Sequence, residues 1–95
     1  MLAESVPGRG VGLGEAVEEI QRRGTQRERQ VFGYEALAAG KLNEAIALFQ
    51  RNVEANPNSA NAFDGLADGF AKAGRLREAA QASDRSVELA TQFAL

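Results

Sequence analysis

The chain contains nearly the same eleven-residue stretch twice, as AGKLNEAIALF at 39–49 and as AGRLREAAQAS at 73–83. The matched positions, each pair 34 residues apart, are Gly40 and Gly74, Leu42 and Leu76, Glu44 and Glu78, and Ala45 and Ala79. A single hairpin of helices cannot cover its own apolar face, whereas a second copy stacked on the first can cover it. The repeat therefore predicts two helical hairpins that pack against each other.

Helix start and stop signals surround both copies. Leu13, Val17 and Ile20 share one face at helical spacing, and Gly24 follows as a stop. A capping box, Thr25-Gln26-Arg27-Glu28, opens a second helix that is expected to end at Gly40. Three more helices are expected, at roughly 43–55, from Asn58 or Ser59 to about Ala73, and from near Arg77 almost to the chain end. Because the connections are short, neighbouring helices are predicted to be antiparallel, and the fold class is all-α.

Three segments follow from this pattern. Residues 1–12, which contain Pro7 and three glycines, are predicted to be a flexible N-terminal segment. They do not complete a G-x-G-x-x-G phosphate loop, because Glu15 occupies the third glycine position. Residues 13–24 form the predicted N-terminal helix. Residues 25–95 form the predicted repeat domain, with its copies at 25–58 and 59–92.

Composition argues against most chemical functions. The 11 basic and 13 acidic side chains give a net charge of −2 and no strongly basic face, so no nucleic-acid partner is expected. The chain has no histidine and no cysteine, which removes the commonest general base and the commonest metal ligands. We therefore expect no enzyme activity, no cofactor and no metal site. No apolar run suits a membrane span and the start lacks the pattern of a signal peptide, so a cytoplasmic protein is expected.

Residues 26–92 resemble two tetratricopeptide repeats. The resemblance rests on small residues at Gly33, Ala67, Ala45 and Ala79, helix-ending Gly40 and Gly74, aromatic Phe49 and Phe63, and the closing Pro57. The chain departs from the family pattern at Arg29, Ser83, Ser86 and Thr91. The resemblance implies a short right-handed solenoid of stacked helix pairs with one extra N-terminal helix. It also implies that Ala45 and Ala79 are buried at the tightest crossing of two helices. The same stretch is similar to repeat pairs at the C-terminus of some bacterial serine hydrolases and β-lactamase-like proteins, which implies an appendage of a longer chain without catalysis of its own.

The family resemblance also implies a concave groove that binds a peptide or a partner helix. Its groove positions correspond to Arg27, Gln30, Tyr34 and Leu37 in the first copy and to Asn61, Asp64, Asp68 and Lys72 in the second. Gln30 and Asn61 would hydrogen-bond a peptide backbone, Tyr34 would offer an aromatic surface, and the two aspartates would favour a basic ligand. A clamp for a C-terminal carboxylate is not expected, because Gln30, Tyr34 and Gly65 stand where its lysine and asparagine residues would be.

Alternative interpretations remain for several of these residues. Asp64 and Asp68 could hold a cation, although a solvated helix face is the more ordinary interpretation. Tyr34 could be a ligand contact or a half-buried core residue, and the arginines at 22, 23 and 27 could grip an anion or simply end a helix. As a whole, the chain could be a structural or regulatory appendage, or a self-association module, in place of a peptide binder.

The end of the chain suggests self-association. Leu89 and Phe93 are four residues apart, and the sequence alone predicts that they form an apolar side of the last helix with nothing to cover it. Burial of such a pair in a second copy would favour a weak homodimer.

Overall fold

The computed structural model describes residues 18–94, and this range contains helices and no strand. The helices are α1, described over 18–23, α2 (Gln26–Ala38), α3 (Leu42–Ala55), α4 (Ala60–Lys72) and α5 (Leu76–Ala94). The all-α prediction is confirmed. The predicted flexible segment 1–12 and the first part of the predicted helix 13–24 lie outside the described residues. The right-handed solenoid stays a prediction.

Side-chain caps begin α2 and α4, as the sequence predicts. The Thr25 hydroxyl accepts a hydrogen bond from the Glu28 amide at 3.1 Å, and the Glu28 carboxylate accepts one from the Thr25 amide at 2.9 Å. At α4, the Ser59 hydroxyl accepts from the Ala62 amide at 3.2 Å. Each cap satisfies amide groups that the first helical turn leaves without a partner, so it fixes where the helix begins.

The turns after α2 and α4 have the same geometry. Gly40 and Gly74 have φ angles of 79° and 78°, a left-handed conformation that glycine adopts without steric cost. The next amide, of Lys41 or Arg75, donates to the carbonyl five residues earlier, at 2.8 Å in both turns. These bonds form a Schellman motif at each helix end. The 34-residue repeat in sequence is therefore also a repeat in backbone conformation.

Phe49 lies at the centre of the packing between helices. Its side chain is fully buried, and a Cβ atom added at Gly33 of α2 would lie 2.5 Å from its ring. A Cβ at Gly65 of α4 would lie 2.7 Å from the same ring. Both glycines therefore serve close approach, and the Phe49 ring on α3 contacts the helix before it and the helix after it. The surrounding core consists of Ala36, Ala45, Ile46, Leu66, Ala67, Phe70 and Ala82.

Residue pairings give the helix directions. Asn52, late in α3, bonds to Gln26 at the start of α2, whereas Phe49, earlier in α3, meets Gly33 further along α2. The contacting positions therefore run in opposite senses, and α2 and α3 are antiparallel. Ser86 donates to the Ala60 carbonyl at 2.9 Å, which places the later part of α5 beside the start of α4.

The structure modifies two expectations for α5. Ala45 is fully buried as expected, but its counterpart Ala79 is only half-buried against the core. The difference arises because α3, which carries Ala45, packs against both α2 and α4. The helix that carries Ala79, α5, packs against α4 alone among the described helices. The expectation that Leu89 faces an uncovered side is wrong, because the residue is 1% exposed. It lies two turns after buried Ala82, on the same side of α5.

Candidate functional site

The residues predicted to line a groove lie along α2 and α4, which run side by side. Three hydrogen bonds join the two helices: Gln26 Nε2 to Ser59 Oγ at 2.6 Å, Gln30 Nε2 to the Asn61 carbonyl at 2.8 Å, and Tyr34 Oη to Asp68 Oδ2 at 2.6 Å. Successive positions on α2 bond to successive positions on α4, so the two helices are parallel. We call the surface formed by these residues together with Arg27, Val31 and Asp64 the α2–α4 groove.

Two contacts hold the Tyr34 side chain in place, one through its ring and one through its hydroxyl. The ring packs edge-on against Phe49, with centroids 5.0 Å apart, and the hydroxyl donates to Asp68. Partial burial raises the pKa of the Tyr34 phenol well above its usual value, and the hydrogen bond to Asp68 and the charges of Asp68 and Asp64 add to the shift. Tyr34 therefore stays a neutral hydrogen-bond donor. The residue as a whole is still 36% exposed, so Tyr34 borders the core through Phe49, while its role as a ligand contact stays a prediction.

A buried amide supports the groove from behind. Asn52 of α3 is fully buried and donates to the Gln26 carbonyl at 3.2 Å and to Gln30 Oε1 at 2.9 Å. Gln30 in turn reaches the Asn61 carbonyl. This chain of bonds passes from α3 through α2 to α4 and fixes the rotamer of Gln30. The position of the Gln30 side chain is therefore set by contacts within the folded chain.

The groove opens into a depression at the start of α2. The depression has a volume of about 530 Å³ and is lined by Thr25, Gln26, Arg27, Gln30, Val31 and Asn61. Val31 is 45% exposed and contributes an apolar wall, while Arg27 supplies a positive charge. The depression therefore combines an apolar wall with polar and charged side chains.

The eight predicted groove residues divide into three sets. Gln30, Tyr34, Asn61 and Asp68 are joined by the hydrogen bonds described above, with Asp64 close enough to influence the Tyr34 phenol. Arg27 lies at the open end and Lys72 is exposed in the last turn of α4. Leu37 is half-buried and packs against the hydrophobic core, which makes it mainly a core residue.

Sequence reasoning missed Asn52, Gln26 and Val31. Asn52 follows Ala45, Leu48 and Phe49 at helical spacing, so its inward position could have been found from periodicity. Its bonding partners could not, because Gln26 and Gln30 lie on another helix. Val31 lies on α2, and only the path of α4 shows that it borders the groove.

The arginines near α1 do not form one cluster. Arg22 and Arg23 both pair with Glu19, at 3.1 and 3.5 Å, while Arg27 lies in the groove. Arg29 is 8% exposed, and its Nε donates to the Gln21 carbonyl at 3.2 Å. Its role is therefore to tie α1 to α2.

Residues 18–94 also bear on metal binding and on membrane insertion. In this range no group of three or more histidine, cysteine, aspartate or glutamate side chains is placed to hold a metal ion. None of the helices in the same range is long and apolar enough to cross a membrane.

Comparison with protein-family models, with curated proteins and with solved structures finds no match to the chain. The assignment of a function therefore rests on the residues and their arrangement.

Proposed function

We propose that the chain is a non-enzymatic protein-interaction module whose α2–α4 groove binds a peptide or a partner helix. The observation that carries this proposal is the row of hydrogen bonds linking Gln30 to Asn61 and Tyr34 to Asp68. These bonds hold polar groups of two helices in fixed positions along one exposed surface. A surface fixed in this way loses little conformational freedom when a ligand binds.

The proposal includes a tetratricopeptide-like stacking of two helix pairs. It is supported by the matching turns at Gly40 and Gly74. It is also supported by the three hydrogen bonds between α2 and the α4 region, each of which joins two residues separated by 31 to 34 positions in the sequence. In such a stack the first helix of each pair lines one surface and the second helix supports it from behind. The positions of α2 and α4 in front and of Asn52 on α3 behind agree with this arrangement.

The charges of the groove favour a basic ligand residue at its middle. Asp64 and Asp68 are both exposed on α4, one helical turn apart, beside the exposed ring of Tyr34. A lysine or arginine of the ligand could pair with the two carboxylates and lie against the aromatic ring. The cationic Arg27 lies toward the open end, so an acidic ligand residue is expected there.

Peptide titration tests the proposal. Two peptides of equal length, one of alternating alanine and lysine and the other of alanine and glutamate, are added to the labelled protein while amide shifts are recorded. We expect the lysine peptide to shift the amide signals of Tyr34, Asp64 and Asp68 and to bind more tightly than the glutamate peptide. Added salt should weaken the binding of the lysine peptide. The double variant Asp64→Asn with Asp68→Asn should remove this preference.

Glu54→Gln is the matched control, because Glu54 is an exposed carboxylate on α3 and lies outside the groove. It should leave the preference for the lysine peptide intact. If neither peptide shifts the groove amides, the proposal is wrong, and a structural or regulatory appendage becomes the better interpretation.

A further inference from the structure

The outer face of α5 carries the two most exposed large apolar side chains among residues 18–92. Leu76 is 69% exposed and Val87 is 62% exposed. At 3.6 residues per turn they share one face with Ala80 and Ser83, both exposed, and this face points away from the buried side that holds Ala82 and Leu89. We call Leu76, Ala80, Ser83 and Val87 the outer α5 face.

The first helix pair shows what covers such a face. The residues 34 positions before the outer α5 face are Leu42, Ile46, Phe49 and Val53 of α3. Of these, Ile46 and Phe49 are buried, and α4 lies over them with Gly65 and Gly69. No described helix takes the corresponding place over α5, so its outer face is a helix-packing surface without a partner within residues 18–94.

The sizes of the side chains on the outer α5 face indicate what can pack against it. The central large residues of α3 have become small in α5, with Ala80 in place of Ile46 and Ser83 in place of Phe49. Large residues remain only at the two ends, Leu76 and Val87. The order large, small, small, large reads the same in both directions, so the face is complementary to a second copy of itself in the antiparallel sense.

We infer that two copies of the chain pair through antiparallel α5 helices. In this register Leu76 packs against Val87 of the second copy, and Ala80 packs against Ser83 of the second copy. The small central residues let the helices approach closely while the large residues fill the two ends. The contact is isologous, because the same patch serves both partners.

Charges on the rim support this register. Arg77 and Asp84 are exposed along the same edge of the outer α5 face, and within residues 18–94 neither has an ion-pair partner. Antiparallel pairing brings Arg77 of each copy close to Asp84 of the other. Two opposite-charge pairs thus form by symmetry. A parallel pairing would put this edge of the two helices on opposite sides of the contact, so neither pair would form.

The contact is too small for a permanent dimer. α5 has 19 residues and is about 28 Å long, so one helix-on-helix contact buries less than the roughly 1,200–2,000 Å² of a standard stable interface. The dimer should therefore form at high concentration and dissociate on dilution.

A charge-reversal cycle tests the inference by sedimentation velocity from micromolar to millimolar protein. Arg77→Asp and Asp84→Arg should each weaken dimerisation at least tenfold, because each replaces two attractions by two repulsions. The double variant should restore association. Arg85→Asp is the matched control, because this substitution changes the charge by the same amount as Arg77→Asp but on the opposite side of α5. This control variant should dimerise as strongly as the native chain.

Cysteine cross-linking tests the register, because the natural chain contains no cysteine. In an oxidised mixture of Ala80→Cys and Ser83→Cys chains, the mixed disulfide should form faster than either homodisulfide. A monomer at every concentration, association unchanged by both single reversals, or failure of the double variant to recover would overturn the inference.

Discussion

At the level of single residues, Phe49 and Asn52 give α3 its central place. They lie one turn apart, both fully buried, and one supplies apolar contact while the other supplies hydrogen bonds. Phe49 fills the space that Gly33 and Gly65 leave open. Asn52 satisfies the Gln26 carbonyl and positions Gln30. A buried amide without partners would cost stability, so the position of Gln30 and the presence of Asn52 depend on each other.

Titration of Tyr34 provides a prediction at this scale. Tyr34 is the one tyrosine of the chain, so phenol absorbance reports it alone. Its midpoint should lie above the usual value of about 10, and Asp68→Asn should lower it by removing the hydrogen-bonded carboxylate. Asp84→Asn, far from the ring on α5, should leave it unchanged. An unshifted midpoint in the native chain would contradict the Tyr34–Asp68 contact.

The same shift has a consequence for stability, because the folded state holds the Tyr34 proton more tightly than the unfolded chain does. The contribution is fully present below the unfolded value of about 10 and is lost as the pH rises from there through the folded pKa. The free energy of unfolding should therefore fall above about pH 10, and Tyr34→Phe should reduce that fall. Urea unfolding at neutral and alkaline pH measures both.

At the level of helices, local signals predicted the boundaries well. The Thr25 box, the Ser59 cap and the two helix-ending glycines act through neighbouring backbone groups, so sequence alone identifies them. Long-range features were predicted less well. Leu89 was placed on an open side and Ala79 in a tight crossing, because which side of α5 meets α4 depends on packing between helices. For the same reason sequence found Tyr34 and Asp68 separately but not the bond between them.

The repeated turns provide a prediction at the helix scale. Gly40→Ala and Gly74→Ala should each destabilise the fold by about 1–2 kcal/mol, since both positions have a left-handed φ. A Cβ at either position would meet no atom within 4 Å, so the cost is backbone strain alone. Asparagine tolerates this conformation better, and Gly40→Asn should cost less than Gly40→Ala. Urea unfolding compares the variants, and equal stability of all of them would argue against the Schellman geometry.

At the level of the whole molecule, α3 makes the two helix pairs a single folding unit. Its buried residues contact α2 through Gly33 and α4 through Gly65, and the polar chain from Asn52 through Gln30 also reaches α4. Neither pair can separate from the other without exposing Phe49. The groove depends on the same coupling, because its two edges belong to different pairs.

Replacement of Phe49 should therefore unfold both pairs together. Phe49→Ala removes a fully buried ring and should cost about 3–5 kcal/mol, a large part of the roughly 5–15 kcal/mol that stabilises a small domain. Hydrogen exchange should show faster exchange in α4 and α5 as well as in α2 and α3. Val87→Ala is the control, since Val87 is 62% exposed and in dilute solution its loss should change stability by no more than about 0.5 kcal/mol. Retained protection in α4 and α5 of the Phe49→Ala chain, alongside loss in α2 and α3, would mean that the second pair folds independently and that the groove is not held rigid by the shared core.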